Sequence, residues 1–145
     1  MSGDAVADPR SELVSPARVP IASGTDVVVA RQRGRELAAR LGFSGSDQTV
    51  VATAISELAR NILEYAGTGR IEVGVGHRGS RIGIVVVALD AGPGIADVPR
   101  AMLDGFSTGK GLGMGLPGVR RLMDDFVIVS EPGRGTCVTA RKWLI

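Results

Sequence analysis

Residues 104–122 read Asp104-Gly-Phe-Ser-Thr-Gly-Lys-Gly-Leu-Gly-Met-Gly-Leu-Pro-Gly-Val-Arg-Arg-Leu122, with glycine at Gly105, Gly109, Gly111, Gly113, Gly115 and Gly118. So dense a run makes neither a stable helix nor a strand, because each glycine adds backbone entropy and leaves no side chain to pack. It is a loop built for its backbone. Several unshielded amides can turn toward one anion, and the natural ligand of such a nest is a phosphate chain. Pro117 fits the first turn of a helix, whose free N–H groups and positive dipole end serve the same anion.

Two phosphate signatures lie almost in register here, and neither fits. Gly113-Met-Gly115-Leu-Pro-Gly118 spells G-x-G-x-x-G, but a dinucleotide fingerprint follows a buried strand, and the preceding residues are polar and glycine-rich. Gly105-Phe-Ser-Thr-Gly109-Lys110-Gly111 resembles a Walker loop one residue short, with glycine in place of the magnesium-binding hydroxyl. The loop needs other motifs to explain it.

The totals narrow the field. A chain of 145 residues, 44% hydrophobic, is most simply one domain with a real core. Aromatics make up only 3%, so that core is aliphatic. The net charge of +2 is small and the basic residues are dispersed, which gives no polybasic case for a nucleic acid or a membrane partner. A single cysteine, Cys137, excludes an internal disulfide and suits a reducing compartment. With no signal peptide and no apolar run long enough to span a bilayer, the expected location is the cytoplasm.

Residues 1–17 are small, polar and broken by proline, and are expected to be a mobile tail, with one domain over 18–145. Arg18 to Ile21 suits a short edge strand. Ser23 or Thr25 can cap a helix whose apolar positions are Val28, Val29, Leu37, Ala38 and Leu41, stopped by Gly42. Ser46 or Asp47 can cap a second, where Val50, Val51, Ala54, Ile55, Leu58 and Ile62 form one stripe up to Gly67. Arg70 to Gly76 alternates, and Arg81 to Asp90 is nearly continuous in apolar residues, as a central strand would be. His77 to Ser80 reads as the turn between them. A short helix near Asp97 to Leu103 leads into the loop; a helix from Pro117 to Asp124 and a hairpin of Phe126 to Val129 and Thr136 to Trp143 complete the chain. This order predicts an α+β sandwich, with helices on one face of a mainly antiparallel sheet.

Three constellations carry chemistry. Glu57 and Asn61, four apart on the second helix, share one face at the rim of the apolar stripe. Asn61 offers a neutral oxygen that suits Mg²⁺, which takes few protein ligands beside phosphate oxygens, and Glu57 can orient or deprotonate a hydroxyl. Taken alone, the pair also reads as solvated helix surface. Asp90-Ala-Gly92-Pro-Gly94 ends the buried strand: a carboxylate there can accept from an exocyclic amine such as that of adenine, while the glycines admit a ring, although a plain Asp turn has the same spelling. Gly133-Arg-Gly135-Thr136 sets a hydroxyl after a glycine turn.

In that order, E-x-x-x-N, D-x-G-x-G, glycine-rich lid and G-x-G-T resemble the GHKL ATPases, the Bergerat fold shared by histidine kinases, type II topoisomerases and Hsp90. Ser56-Glu-Leu-Ala-Arg-Asn61, Asp104-Gly-Phe-Ser-Thr108, Gly111 to Asp124 and Lys142-Trp-Leu144 narrow the resemblance to RsbT-like serine/threonine switch kinases, from about Arg18 to the C-terminus. It implies helices over a mixed, mainly antiparallel sheet, with ATP and Mg²⁺ as cofactors. Asn61 would bind Mg²⁺, Glu57 would be the catalytic base, and Asp90 would read adenine with Gly92 and Gly94 shaping the pocket. Gly109, Lys110, Gly111, Leu112, Gly113 and Gly115 would close over the phosphates, and Thr136 would help hold the base. Lys110 departs from the small residue expected there, and either touches a phosphate or stands in solvent. The implied substrate is a serine or threonine on a STAS-domain protein; phosphorylation releases the kinase to activate a PP2C-type phosphatase.

Two rivals share the motifs. An anti-sigma factor kinase would also sequester a sigma factor, but Ile62-Leu-Glu-Tyr-Ala66 lacks the histidine-containing continuation associated with that group. A non-catalytic nucleotide-gated module would keep Asp90 and the glycines and have no need of Glu57. His77, the sole histidine, falls in an expected turn, which argues against a histidine autokinase. Cys137 reads as a small core residue, Trp143 as a seal at one end of the sheet, and Arg120 and Arg121 as a solvated face. Arg60 and Glu64 are spaced to pair on the helix surface, worth about 0.3–0.5 kcal/mol.

Overall fold

The computed structural model describes residues 14–94, 102 and 115–144. Among these, five strands and three helices follow in the order β1 (Val14–Ile21), α1 (Gly24–Leu41), α2 (Gly45–Tyr65), β2 (Gly69–Arg78), β3 (Arg81–Asp90), α3 (Gly115–Leu122), β4 (Asp125–Glu131) and β5 (Gly135–Trp143). The helix expected near 97–103 and lid residues Gly109, Lys110, Gly111, Leu112 and Gly113 lie outside the described residues.

Side chains at the first turn fix where α1 and α2 start. Ahead of α1, the Asp26 carboxylate accepts from the N–H groups of Ala22 at 2.8 Å and Ser23 at 3.1 Å. Gly42, at φ +92°, ends it, and the Phe43 N–H returns to the Ala38 carbonyl at 3.0 Å. At α2 the cap is Ser44, whose Oγ accepts from the Asp47 N–H at 3.1 Å. Ser46 and Asp47, the expected caps, fall inside the first turn, where an Asp still favours the positive dipole end.

The α2 stripe is the expected one: Val51, Ala54, Ile55, Leu58 and Ile62 are all buried, and Val50 is partly so. On α1 the buried row is Val27, Ala30, Gly34 and Ala38, while Val28 and Val29 stand 42% and 39% exposed. The cause is interhelical packing. A side chain at Gly34 would occupy the place of Ile55 Cδ1, so α1 lies close on α2 through its smallest residues.

The sheet order is β1-β2-β3-β5-β4, and all four pairings are antiparallel, so no parallel pair of the expected mixed sheet occurs among the described residues. Ile71 and Val73 of β2 pair with Ala88 and Val86 of β3, and these join Val138, Ala140 and the helix stripes in one aliphatic core. The helices therefore cover one face. His77 belongs to β2, opposite Ile82, because the turn is only Gly79-Ser80, with Gly79 at φ +61°. At its edge β1 begins at Val14, so Val14 to Ala17, expected in the tail, are in the sheet; the register shifts between Val14 and Ala17, around Pro16, as an edge strand allows.

Trp143 closes the end of the sheet where β3 begins. Its indole N–H donates to Asp125 at 2.8 Å, its backbone N–H donates to Asp124 at 2.7 Å, and the Arg78 guanidinium lies 4.9 Å from the ring centroid. That leaves the opposite end, at Asp90, open to other work.

The offset of the α1 stripe is directly testable. Val27→Ala should destabilise the fold by about 2 kcal/mol, the transfer of two methyl groups plus a residual cavity. Val28→Ala should change stability by no more than about 0.5 kcal/mol. Urea denaturation of the two variants measures both, and equal losses would refute the assigned face.

Candidate functional site

The line of the site is α2. Glu57 and Asn61 are one turn apart, and the helix ends against the turn that follows β3: a side chain at Gly92 would meet Cα and Cβ of Ala66, the residue capping α2. At 1.5 Å per residue, Glu57 lies about 13 Å along the axis from Ala66, a span that an extended nucleoside triphosphate covers. The helix thus joins two chemically distinct ends.

At the sheet end, Asp90 is half-buried and its Oδ1 accepts from the Gly92 N–H at 2.9 Å. The second carboxylate oxygen has no partner among the described residues and is available to a donor. Thr136 is the direct register partner of Asp90 across β3 and β5. Its Oγ1 lies 2.8 Å from Ser130 Oγ, which also donates to the Gly135 carbonyl at 3.2 Å. Thr136, far from the Asp90-to-Gly94 turn in the chain, is therefore brought beside it.

The glycines there serve packing of protein on protein. Gly94 has φ +77°, and a side chain on it would run into the Glu131 carbonyl; Gly135 has φ +94° and would run into the Asp90 carbonyl. The Gly133 N–H donates to the Pro93 carbonyl at 2.7 Å. Two turns are thus locked together, and the carboxylate of Asp90 sits on a rigid support.

At the helix end, Glu57 is nine-tenths buried, at 10% side-chain exposure, and Arg60 donates to its Oε1 at 3.1 Å. The Gly115 N–H, at the start of α3, points at Oε2 from 3.4 Å. A carboxylate at a helix N-terminus is electrostatically favoured, so Glu57 also ties α2 to the helix that follows the glycine-rich loop. Pro117 is in the first turn of α3, as expected, and Leu116 and Val119 anchor that helix in the core. Asn61 is half-buried, and its side chain makes no hydrogen bond among the described residues.

Three features escaped the sequence reading. Arg60 pairs with Glu57 rather than with Glu64; an acid placed N-terminal to a base is the favourable order along a helix, and Arg60 before Glu64 is the reverse. Ser130 supports Thr136, with alternation opposite Gly135-Thr136 as its only advance signal. Ala66 forms the floor under Gly92, a contact between α2 and the β3 end that local spacing does not encode.

Comparison with known proteins identifies the family. Residues 46–144 match the family of histidine kinase-, DNA gyrase B- and HSP90-like ATPases. The chain belongs to that family. It is 54% identical over 127 residues to the serine/threonine-protein kinase RsbT of Bacillus subtilis, spanning 87% of this chain and 95% of the relative, and is an RsbT-like protein kinase. It is also 32% identical over 100 residues to the anti-sigma F factor of Thermoanaerobacter sp. (strain X514), covering 65% of this chain and 68% of the other. In fold it resembles the crystal structure of the RsbU and RsbW domains of Rv1364c from Mycobacterium tuberculosis, with a TM-score of 0.62 and 19% identity, over 89% of this chain and 32% of that one.

Gly94→Ala is expected to cost about 1–3 kcal/mol, from the left-handed backbone and the blocked Glu131 carbonyl. A shift of the urea midpoint to lower denaturant checks this, and an unchanged midpoint would show that the two turns are not locked as described.

Proposed function

We propose that this protein is a Mg·ATP-dependent serine/threonine kinase that phosphorylates a STAS-domain protein and then switches partner to activate a PP2C-type phosphatase, in the cytoplasm, as part of bacterial stress signalling. The observation that carries the reading is the placement of Glu57 and Asn61 one turn apart on a helix whose end abuts the Asp90–Gly92 turn. A nucleotide laid along α2 would set its base at one end and its γ-phosphate at the other.

The described residues fit such a ligand. The unpartnered oxygen of Asp90 accepts the exocyclic amine of adenine, and the Thr136 hydroxyl, oriented by Ser130, supports the same base. The carboxamide oxygen of Asn61 suits a hard cation that keeps most of its ligands as water and phosphate oxygens. Mg²⁺, when bound, neutralises charge on the phosphates. Among the described residues no cluster of three or more His, Cys, Asp or Glu offers a protein cage, and Mg·nucleotide sites do not need one. Gly109, Lys110, Gly111, Leu112, Gly113 and Gly115 would supply backbone amides, and Lys110 a charge, to the phosphate chain.

Glu57 is the base. Its carboxylate takes the proton of the serine or threonine hydroxyl as that oxygen bonds to the γ-phosphorus; the bond to the β-phosphate oxygen breaks, and ADP leaves. The cation on Arg60 and the N–H of Gly115 hold the carboxylate at the rim of the core, where its direction is set by α2.

The likeness to an anti-sigma F factor supports one second reading, in which the same site serves a protein that also sequesters a sigma factor. Transfer from γ-labelled ATP to a STAS-domain protein of the same organism tests the first. Label should appear on serine or threonine with wild type. It should fall by about 10²–10⁴-fold in Glu57→Gln, with nucleotide still bound, and Asn61→Ala should lose Mg²⁺-dependent binding. Transfer by Glu57→Gln at the wild-type rate would remove the base assignment. Capture of a sigma factor with no label transferred would favour the second reading.

A further inference from the structure

A cavity of ≈ 460 Å³ opens between α1 and α2, lined by Arg31 and Arg35 from one helix and by Thr53, Ser56 and Arg60 from the other. Arg31 and Arg35 are one turn apart, and like charges at that spacing repel. Neither makes an ion pair or a side-chain hydrogen bond among the described residues, and none of the described lining residues is a carboxylate. Ser56 is neutralised as a donor, its hydroxyl bonding back to the Ala52 carbonyl at 3.0 Å. What remains is a groove with cations on both walls, of which only Arg60 has a counter-charge, in Glu57.

The third cation works in two places. Arg60 is 55% exposed and lines the groove, yet its Nη1 holds Oε1 of Glu57, a carboxylate only 10% exposed. Charge-assisted hydrogen bonds are about twice as strong as neutral ones, so a neutral hydroxyl does not displace Arg60 from Glu57 without help. An anion in the groove provides that help, because it gives the guanidinium a second carboxylate to turn to.

We propose that the groove receives an acidic segment of the protein substrate, and that this segment draws Arg60 off Glu57 and so frees the carboxylate for the substrate hydroxyl. Arg60 is a positioning residue: it acts through Glu57 and touches neither nucleotide nor hydroxyl. Arg31 and Arg35 supply the complementary charge that recognises the segment, and the repulsion between them is relieved when it binds. Partner recognition and turnover are then one event, and a water molecule, which brings no charge, is discriminated against as an acceptor. The inference rests on the reading of Glu57 as the base.

ATP hydrolysis without protein substrate, in excess Mg²⁺, tests it with hexaglutamate as the probe and hexalysine as its control. Hexaglutamate should raise the wild-type rate several-fold, an effect that added salt diminishes; hexalysine should not. Arg60→Gln should hydrolyse ATP several-fold faster than wild type with no peptide and respond no further, while Arg60→Lys, which keeps the charge, should behave as wild type. With protein substrate, Arg31→Gln and Arg35→Gln should raise KM more than they lower kcat. A wild type indifferent to hexaglutamate, or an Arg60→Gln variant no faster than wild type, overturns the proposal. Glu57→Gln separates the two failures: if it is inactive while those outcomes occur, only the groove mechanism falls, and if it retains the wild-type rate, the base assignment falls and the groove mechanism with it.

Discussion

Burial of one stripe of α2 against the centre of the sheet is the constraint from which the rest follows. Val51, Ile55, Leu58 and Ile62 are each 3% exposed or less, in one core with Ile71, Val73, Val86 and Ala88. Each such side chain contributes about 1.5–3 kcal/mol when fully buried, so the rotation of the helix about its axis is firmly set. With that rotation set, Glu57 and Asn61 have no freedom of placement: they fall on the rim, with Glu57 facing the N-terminus of α3, on a helix whose end abuts the Asp90–Gly92 turn. A polar pair held this way is directed by a hydrophobic core it does not itself join.

Much of this was legible in the sequence, for a physical reason. The α2 stripe repeats at 3.6 residues and β2 alternates at two, and both periods describe burial against a single layer. Asp90 ends an apolar run, so its place at the mouth of the sheet follows from strand length alone. The elements that were misplaced depend on contacts between distant parts of the chain. The face of α1 was legible at Leu37, Ala38 and Leu41 but not over its first half, where Ala30 and Gly34 carry little hydrophobic signal, and it is Ile55 of another helix that requires glycine at Gly34. The partner of Arg60 was misjudged because two acids stand at permitted spacing, and the choice depends on order along the helix dipole. The start of β1 at Val14 is set by pairing with Val75, 61 residues later in register, rather than by local propensity.

The glycines divide into two kinds. Gly92, Gly94 and Gly135 are required by the protein's own surfaces, since a side chain at each would strike Ala66, Glu131 or Asp90. Those of the 104–122 stretch carry the phosphate-cradling reading, and among the described residues Gly115 also anchors to α2, through its N–H and Glu57. The Asp90 end is therefore locked by turns, and α2 joins it to the Glu57–Arg60 pair beside the start of α3. Such stiffness would suit a flat base at the Asp90 end in the proposed reading.

The account's central claim is that α2 and the Asp90 end of the sheet form a single nucleotide site. Hydrogen–deuterium exchange of the whole chain with and without Mg·ATP tests it most directly. The claim predicts slower exchange at Asp90 to Gly94, at Gly135 and Thr136, and at Gly115 to Val119 in the same titration, with the same concentration dependence. Binding of Mg·ATP that leaves the Asp90 and Thr136 segments unchanged, with protection confined to the groove between α1 and α2, would contradict it.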